Sequence, residues 1–425
     1  MLVGSSPRRV AVIGGSRIPF ARAHGAYAAV GNQDMLTASL KAVVDKYALK
    51  GVRLGDVVAG AVMKHSSQWN LARESLLDSG LSPETPGLDV QRACGTSIEA
   101  AIIVANKIAL GQIDAGIAAG VDTVSDPPVV FGKAYQQILL RAHRARSFGE
   151  RAAAFLSLRP SNFKPVFPGT GEPRTGLSMG EHTEQMARTW QITRAEQDAF
   201  ALASHQRASR AWSEGFMADL VVPYLSLQSD NNVRPDTSLE KLGKLKPSFA
   251  KDGTLTAGNS TPMTDGSAAA LLASEDWART RGLPVQAYLT YGKAAAVDFV
   301  GGEGLLMAPA YAVPRMLADA GLTLQDFDYY EIHEAFAAQV LCTLKAWESE
   351  TFCRERLGLA KPLGSIDRAK LNVKGSSVAV GHPFAATGAR IIAMLAKLLD
   401  ERGAGRGLIS VCTAGGMGVT AIMEK

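Results

Sequence analysis

Four separated groups of residues in this 425-residue chain could do chemistry together. They are Ala93-Cys94-Gly95, His333-Glu334-Ala335-Phe336, Gly381-His382-Pro383, and Cys412 leading into Thr413-Ala414-Gly415-Gly416. Two thiols and two imidazoles supply a nucleophile, a base to activate it and a second acid/base. Those are the groups needed to make or break a carbon–carbon bond next to a thioester. A lone Cys is more often a small buried residue, and a lone His a hydrogen-bonded core or cap residue. Four such motifs, each at a strand-to-helix or strand-to-turn junction, are hard to explain as packing.

Each group carries its own expectation. Cys94 follows a strand and precedes a helix, where unpaired N–H groups and the helix dipole should lower a thiol pKa from about 8.5. Gly95 should let a ligand approach closely. Proline suits the first turn of a helix, so Pro383 should place His382 at a helix entrance as the base for Cys94. Cys412 ends a strand and is the candidate that moves a proton to or from carbon. His333 should end a strand and open a helix, from which its imidazole can donate to an enolate oxygen. Cys342 and Cys353 read as structural, and His24, His65, His143 and His205 as surface or core residues. Met179 and His182 stand out from the polar stretch around Ser178-Met179-Gly180.

The elements that must position these groups follow an α/β rhythm, with 42 glycines between short β-branched runs and longer Ala/Leu-rich stretches. Strands are predicted at Val10–Ile13, Val57–Val62, Gly87–Val90, Asp114–Gly120, Tyr329–Ile332, Leu408–Val411 and Val419–Met423. Helical spacing appears at Met35–Lys46 and Thr96–Leu110. From about Pro127 to Asp252 prolines cluster and few buried-strand patterns occur. One long helix, Arg194–Gly215, is expected there, in an insertion lying over the core. The flanking halves resemble each other: Leu324–Asp328 before Tyr329–Ile332 parallels Leu54–Asp56 before Val57–Val62. Gly381–Arg390 likewise opens a helix as Cys94-Gly95-Thr96 does, so a duplicated α/β unit is expected.

Composition sets outer bounds. Apolar residues make up 47% and charged residues 20%, which describes a soluble globular protein of two or three domains. No apolar run reaches the ~18 residues of a membrane span. Met1 to Pro7 leads straight into the first strand and leaves no room for a signal peptide, so the cytoplasm is the expected location. A net charge of +5 is too mild to imply nucleic acid but suits an anionic ligand. The four cysteines form no CxxC pair, so neither a disulfide framework nor a metal site is indicated.

Taken together, Cys94, His333-Glu334-Ala335-Phe336, Gly381-His382-Pro383 and Cys412 resemble the four signature motifs of thiolases, over nearly the whole chain. Ser178-Met179-Gly180, Ile192 to Asp198, and Thr256-Ala257-Gly258-Asn259-Ser260-Thr261 running into Asp265-Gly266 are similar to that family too. The resemblance implies a thiolase fold, with two similar α/β/α/β/α halves and an inserted loop domain that binds coenzyme A. On that basis residues 1–125, completed by 253–284, form the N-terminal half, 126–252 the loop domain and 285–425 the C-terminal half. It implies that Cys94 is acylated, that His382 activates it, and that Cys412 protonates or deprotonates carbon. His333 and His382 would line one oxyanion hole, and the backbone N–H groups of Cys94 and Ala414 the other. Thr261 matches a position that contacts the pantetheine arm, and Met179 one that lines the acyl pocket. Coenzyme A is then a co-substrate with no permanent cofactor. The expected assembly is a homodimer or homotetramer, with a hydratase/dehydrogenase α-subunit as a candidate partner.

Departures from the family pattern narrow the reading. Many thiolases have Asn where His333 stands, and the histidine form is similar to the trifunctional-enzyme β-subunit and its bacterial relatives. Ala414 replaces a glycine, so its backbone must suit a residue with a Cβ. Between Lys133 and Lys164 lie seven basic residues and one acid, Glu150. A solvated face and service to the coenzyme A phosphates come ahead of docking on a membrane or partner as readings of that run. The leading function is thiolytic cleavage of 3-oxoacyl-CoA in fatty-acid β-oxidation. Its competitors are a biosynthetic acetoacetyl-CoA thiolase, a ketosynthase, which would not need Cys412, and a non-catalytic scaffold or lipid carrier.

Overall fold

The computed structural model describes residues 7–169 and 171–425. Met1–Ser6, on which the expectation about a signal peptide partly rests, lie outside the described residues. The strands are β1 (Val10–Arg17), β2 (Ala21–Arg22), β3 (Asp56–Ala59), β4 (Gly87–Asp89), β5 (Ala115–Asp122), β6 (Val130–Phe131), β7 (Pro165–Val166), β8 (Thr264–Ser274), β9 (Ala287–Ala296), β10 (Tyr329–Ile332), β11 (Arg406–Thr413) and β12 (Met417–Glu424).

Strand order shows the duplication directly. The main sheet runs β10-β11-β12-β9-β1-β8-β5-β3-β4. On one side β3, β5, β8 and β1 pair parallel, antiparallel, antiparallel; on the other β10, β11, β12 and β9 repeat that order and those orientations. The halves join where Ala11 and Val12 pair with Tyr288 and Ala287. Even the outer β4 has a counterpart, an isolated parallel bridge from Tyr330 to Leu371. In this correspondence Cys94, shortly after β4, matches the Gly381–His382 loop that follows Leu371. Cys412, on β11, matches Asp122 at the end of β5.

Because side chains alternate across a strand, β1 sends Ala11 and Ile13 into one core and Val10 and Val12 into another. The second core is the central layer. There Ile98, Val104 and Ile108 of the Thr96–Ala109 helix and Ile391, Leu395 and Leu399 of the Thr387–Arg402 helix lie between strand residues from both halves, Leu272 and Val411 among them. The outer face of the first half is covered by the Asn32–Lys46 helix, and that of the second by the Ala308–Ala320 and Ala337–Glu348 helices. Gly388 permits a close approach of the two central helices: a Cβ there would meet the Ile98 backbone nitrogen at 2.4 Å. The two helices whose N-terminal ends follow Cys94 and His382 are thereby held against each other.

The stretch 126–252 differs from its expectation. Besides the long helix, observed at Arg194–Ser213, it holds helices at Lys133–Arg144, Phe148–Leu156, Met179–Thr189 and Leu239–Gly243. Part of it belongs to the core rather than lying over it. Phe216, Met217, Leu220 and Val221 pack on Met394 and Leu398, and buried Asp230 takes a two-pronged bond from Arg17 at 2.6 and 2.7 Å. Among the described residues no helix is long and apolar enough to cross a membrane.

Candidate active site

The nucleophile candidate sits on a strained turn. Ala93 holds a left-handed φ of 43° immediately before Cys94, a conformation costly for a residue with a Cβ and most often kept where a neighbour must be aimed. Gly95 caps the Thr96–Ala109 helix, and its bare α-carbon serves packing rather than a ligand. A Cβ there would meet Val419 and Thr413 side chains at 2.9 and 3.0 Å. That close fit presses the Cys94 turn against the strand pair carrying Cys412.

The two histidines meet the thiol from the other half. Ligand atoms of Cys94, His333 and His382 all lie within 4.8 Å of one another, and the imidazole centroids are 4.1 Å apart. Each ring is anchored through Nδ1: His333 to Ser377 Oγ at 2.8 Å, and His382 to Thr387 Oγ1 at 2.6 Å. Both Nε2 atoms are buried without a hydrogen-bond partner. A buried unpartnered polar atom carries a desolvation cost, and here two of them belong to the histidines grouped with Cys94.

His333 does not open a helix as expected. The Ala337–Glu348 helix begins four residues later with Phe336 as its extended N-cap (φ −144°, ψ 143°). The intervening residues are pinned instead. Thr261 N–H donates to Ala335 O at 3.1 Å, and Ser260 bridges Phe336. Buried Glu334 accepts from Ser204 and Asn372, both at 2.7 Å, and from Val378 N–H at 3.2 Å. Thr261 also donates its hydroxyl to Ser377 O at 2.8 Å, so the Thr256–Thr261 stretch ties both histidine loops together. Pro383 likewise caps a short 3-10 turn, Phe384–Ala386, which precedes the Thr387–Arg402 helix.

Cys412 lies on β11 and is buried in an apolar cluster with Phe336, Leu255 and Leu306; Met179 and Phe249 pack at its edge. It stands outside the three-atom group, but the Cys94 sulfur is close enough to help burial push its thiol well above the ordinary value. Ala414 avoids the left-handed region, which Gly415 (φ 76°) and Gly416 (φ 70°) adopt in its place. The Ala414 N–H is free to point at the Cys94 sulfur, as does the N–H of Cys94 itself. Gly415 N–H is held at 2.7 Å by Glu172, from the 126–252 stretch.

Electrostatics correct one expectation. Cys94 as a residue keeps partial contact with solvent, but its sulfur is enclosed, and burial pushes the thiol up to about 12. The two N–H groups pull the other way and do not win, because desolvating an anion costs more than two hydrogen bonds return here. Burial, with Arg390 contributing, holds His382 down to about 3, and burial, His382 and Arg390 hold His333 well below its usual range. The resting site is therefore a neutral thiol beside two neutral imidazoles. The thiol proton must move as its sulfur attacks.

A pH prediction follows. Because the folded-state values of His333 and His382 are depressed, their contribution to stability is present above about 6.5 and is lost as pH falls toward the folded value. Unfolding by denaturant should become easier as pH drops below about 6.5. The pH profile of kcat/KM should show no acid limb near 6.5. A limb there would mean that an ordinary histidine controls the reaction.

The remaining candidates fall elsewhere. Cys342 and Cys353 are buried, and Cys353 lies 3.5 Å from Trp347 O. His205 accepts from Arg234 N–H, and His182 is bonded to Thr175 at 2.8 Å and edge-on to Phe299. Glu334 lies inside the His333-Glu334-Ala335-Phe336 motif, and Thr387 and Arg390 inside the Gly381–Arg390 helix start, but the sequence gives none of them a role; Ser377, Asn372 and Glu172 carry no sequence cue. The Cys94–His333–His382 group also has the donor types of a three-ligand zinc site, a reading that a chelator can test.

Comparison with known proteins bears on the family and the fold. Residues 10–276 match the family described as thiolase, N-terminal domain, and residues 283–425 match thiolase, C-terminal domain. The chain is 41% identical over 430 aligned residues to 3-ketoacyl-CoA thiolases of Yersinia pestis and Yersinia pseudotuberculosis, covering 100% of this chain and 98% of theirs. Its fold is similar to that of Bacillus anthracis acetyl-CoA acetyltransferase (TM-score 0.82, 30% identity, 99% and 100% coverage). It is also similar to human mitochondrial 3-ketoacyl-CoA thiolase in complex with CoA (TM-score 0.81, 28% identity, 98% of each chain).

Proposed function

The chain belongs to the thiolase family, and on that premise we propose that it cleaves 3-oxoacyl-CoA with coenzyme A. The products are acetyl-CoA and an acyl-CoA two carbons shorter, and the pathway served is fatty-acid breakdown. The observation that carries this reading is the grouping of Cys94, His333 and His382, with one ligand atom of each within 4.8 Å of the others and both Nε2 atoms unpartnered.

The steps follow from the placement of each group. Cys94 Sγ attacks the 3-oxo carbon while its proton passes to His382 Nε2, and the oxyanion is met by the N–H groups of Cys94 and Ala414. The carbon–carbon bond breaks, leaving acyl-Cys94 and the enolate of acetyl-CoA. Nε2–H groups of His333 and His382 face that enolate oxygen, and Cys412 gives its proton to the carbon. Coenzyme A then attacks the acyl-Cys94 carbonyl; its thiol proton restores Cys412, and His382 returns its proton to Cys94. Burial keeps Cys412 protonated in the resting site, so its proton is available when the carbanion forms. Met179 lies beside the cluster containing Cys412 and is assigned to the acyl pocket; Thr261 is assigned to the pantetheine arm, and the 126–252 stretch to coenzyme A. The same groups run the condensation in reverse, so substrate supply sets direction. Four free cysteines suit the cytoplasm, where we place the protein.

Rates with 3-oxoacyl-CoAs of increasing chain length, with and without a metal chelator, test the proposal. Cleavage insensitive to chelation is expected. Loss of activity on metal removal would favour the three-ligand metal reading, and no cleavage at any chain length would leave a scaffold or carrier.

His333 should tolerate Asn better than Ala. Asn keeps a side-chain N–H for the enolate, whereas His333→Ala removes one oxyanion donor, worth about 2.7–4 kcal/mol. Steady-state kinetics should show a loss of about 10²- to 10³-fold in kcat for the Ala variant and a smaller one for Asn. Equal, wild-type-like rates for both would remove His333 from the site.

The basic run has a second role in this proposal. The Lys133–Arg144 and Phe148–Leu156 helices bury only Ile138, Ala142 and Ala154, leaving Phe148 88% and Leu156 86% exposed. Among the described residues none of its seven Lys/Arg side chains makes an ion pair. Cations flanking exposed aromatic and aliphatic tips suit an anionic, apolar-accepting surface, and we infer docking there. Replacing Arg141, Arg144 and Arg146 by Gln should weaken flotation with anionic vesicles and leave the KM for coenzyme A unchanged. If that KM rises and flotation does not move, the arginines serve the substrate.

A further inference from the structure

Arg390 is a buried cation that the mechanism above does not use. Its side chain is 1% exposed, and its Nη2 donates to Ser376 Oγ and Ser377 Oγ, each at 3.1 Å. Nη1 faces Met394 sulfur at 3.4 Å, and Nε has no partner. Glu331 and Glu334 are its carboxylate neighbours, but no direct hydrogen bond joins it to either among the described residues. Burying a guanidinium on two serine hydroxyls is costly, and one of those hydroxyls leads into the active site.

We propose that Arg390 and Ser377 act as positioning residues that fix His333 in the tautomer carrying its proton on Nε2. The inference deepens the enolate-stabilising role assigned to His333 and rests on that reading. It follows from counting protons. A guanidinium only donates, so Ser377 Oγ spends a lone pair on Arg390. The hydroxyl proton then needs an acceptor, and the one within reach is His333 Nδ1, at 2.8 Å. An imidazole that accepts at Nδ1 and is neutral carries its proton on Nε2. That atom has no partner in the resting site and lies beside Cys94 and His382, where it is a hydrogen-bond donor waiting for an oxyanion. The buried charge of Arg390 also opposes a second proton on the ring.

His382 is arranged in the opposite sense. Thr387 Oγ1, its Nδ1 partner, has Pro383 O as an acceptor at 3.4 Å. With its proton so directed, Thr387 accepts from Nδ1–H and leaves the Nε2 lone pair of His382 facing the thiol. One hydroxyl that gives and one that receives thus turn two adjacent imidazoles into a donor and a base. Neither assignment is legible from the histidines alone.

Neutron diffraction from crystals of the deuterated protein locates these protons directly. In the wild type, deuterium is expected on Nε2 of His333 and on Nδ1 of His382. In Ser377→Ala, His333 should show Nδ1 occupancy or a mixture. Ser376→Ala, which alters the same Arg390 contact without touching His333, should keep Nε2 occupied. In solution, Ser377→Ala should slow carbon–carbon cleavage by tenfold or more, up to the about 10²- to 10³-fold of losing one oxyanion donor. Acylation of Cys94 by a simple acyl-CoA should stay near wild type, because it forms no enolate, and Ser377→Thr should restore cleavage. Deuterium on Nδ1 of His333 in the wild type overturns the proposal. So does a Ser377→Ala protein that keeps Nε2 occupied and cleaves normally. Failure of the thiolase reading itself would appear separately, as no cleavage by the wild type, while the proton positions remain readable.

Discussion

Cys94→Ala should abolish acylation and turnover together while the protein remains folded. Deleting a nucleophile from a coupled catalytic group typically costs about six orders of magnitude in kcat, and here no other group can form the same thioester. Cys412 is buried among apolar side chains and outside the group formed with the two histidines, so it is not placed to substitute. The fold should tolerate the change, because the substitution removes a single atom, the enclosed sulfur, and leaves the Cβ in place. A thermal melt within a few degrees of wild type would separate lost chemistry from lost structure. Thiolysis well above background in a properly folded Cys94→Ala protein would contradict the assignment.

Cys412→Ala should divide the reaction instead of abolishing it. General acid/base help is typically worth about 10²- to 10⁴-fold, and in this mechanism its main recipient is the carbon centre. Cleavage of a 3-oxoacyl-CoA should fall by that amount, whereas slow transfer of an acyl group from acyl-CoA to Cys94 should persist. The position of Cys412 supports this division. Burial and the neighbouring sulfur keep it protonated at rest, so it has a proton to give, and the Ala414 N–H aimed at Cys94 lies just beyond it. Stopped-flow measurement of each half-reaction decides the matter. Equal losses in both would mean that the two thiols do not divide the labour.

The chemistry was more legible in the sequence than the scaffold, for a physical reason. Cys94, His333, His382 and Cys412 sit near element ends, where glycine and proline leave local signatures, and their types name their roles. The strands β8 and β9 left no such mark. Thr264–Ser274 is mostly Ala, Ser, Gly and Leu, with Thr264 alone supplying the β-branching that announces a strand. It is a strand because β1 and β5 pair on either side of it and bury every residue. The helix expected at His333 was misplaced for a related reason. Bonds from Thr261, Ser204, Asn372 and Val378 hold that segment extended, and those partners are remote in sequence. Protonation was misjudged at Cys94 because a helix start is visible in sequence, whereas the degree of enclosure around a sulfur is not. Glu334 stood inside a motif without a role, and the other supports, Ser377, Thr387 and Arg390, became apparent only once the two halves were placed together.

The role of the 126–252 stretch was hidden in the same way. Its prolines suggested a loop laid over the core, yet Asp230 is locked to Arg17 and Glu172 reaches the turn beside Ala414.

The most direct test of the central claim is the mass of the protein after incubation with an acyl-CoA in the absence of free coenzyme A. A shift equal to one acyl group is expected, located by peptide mapping on Cys94 and removed when coenzyme A is added. An unmodified protein, or an acyl group on Cys412 or any other residue, would contradict it.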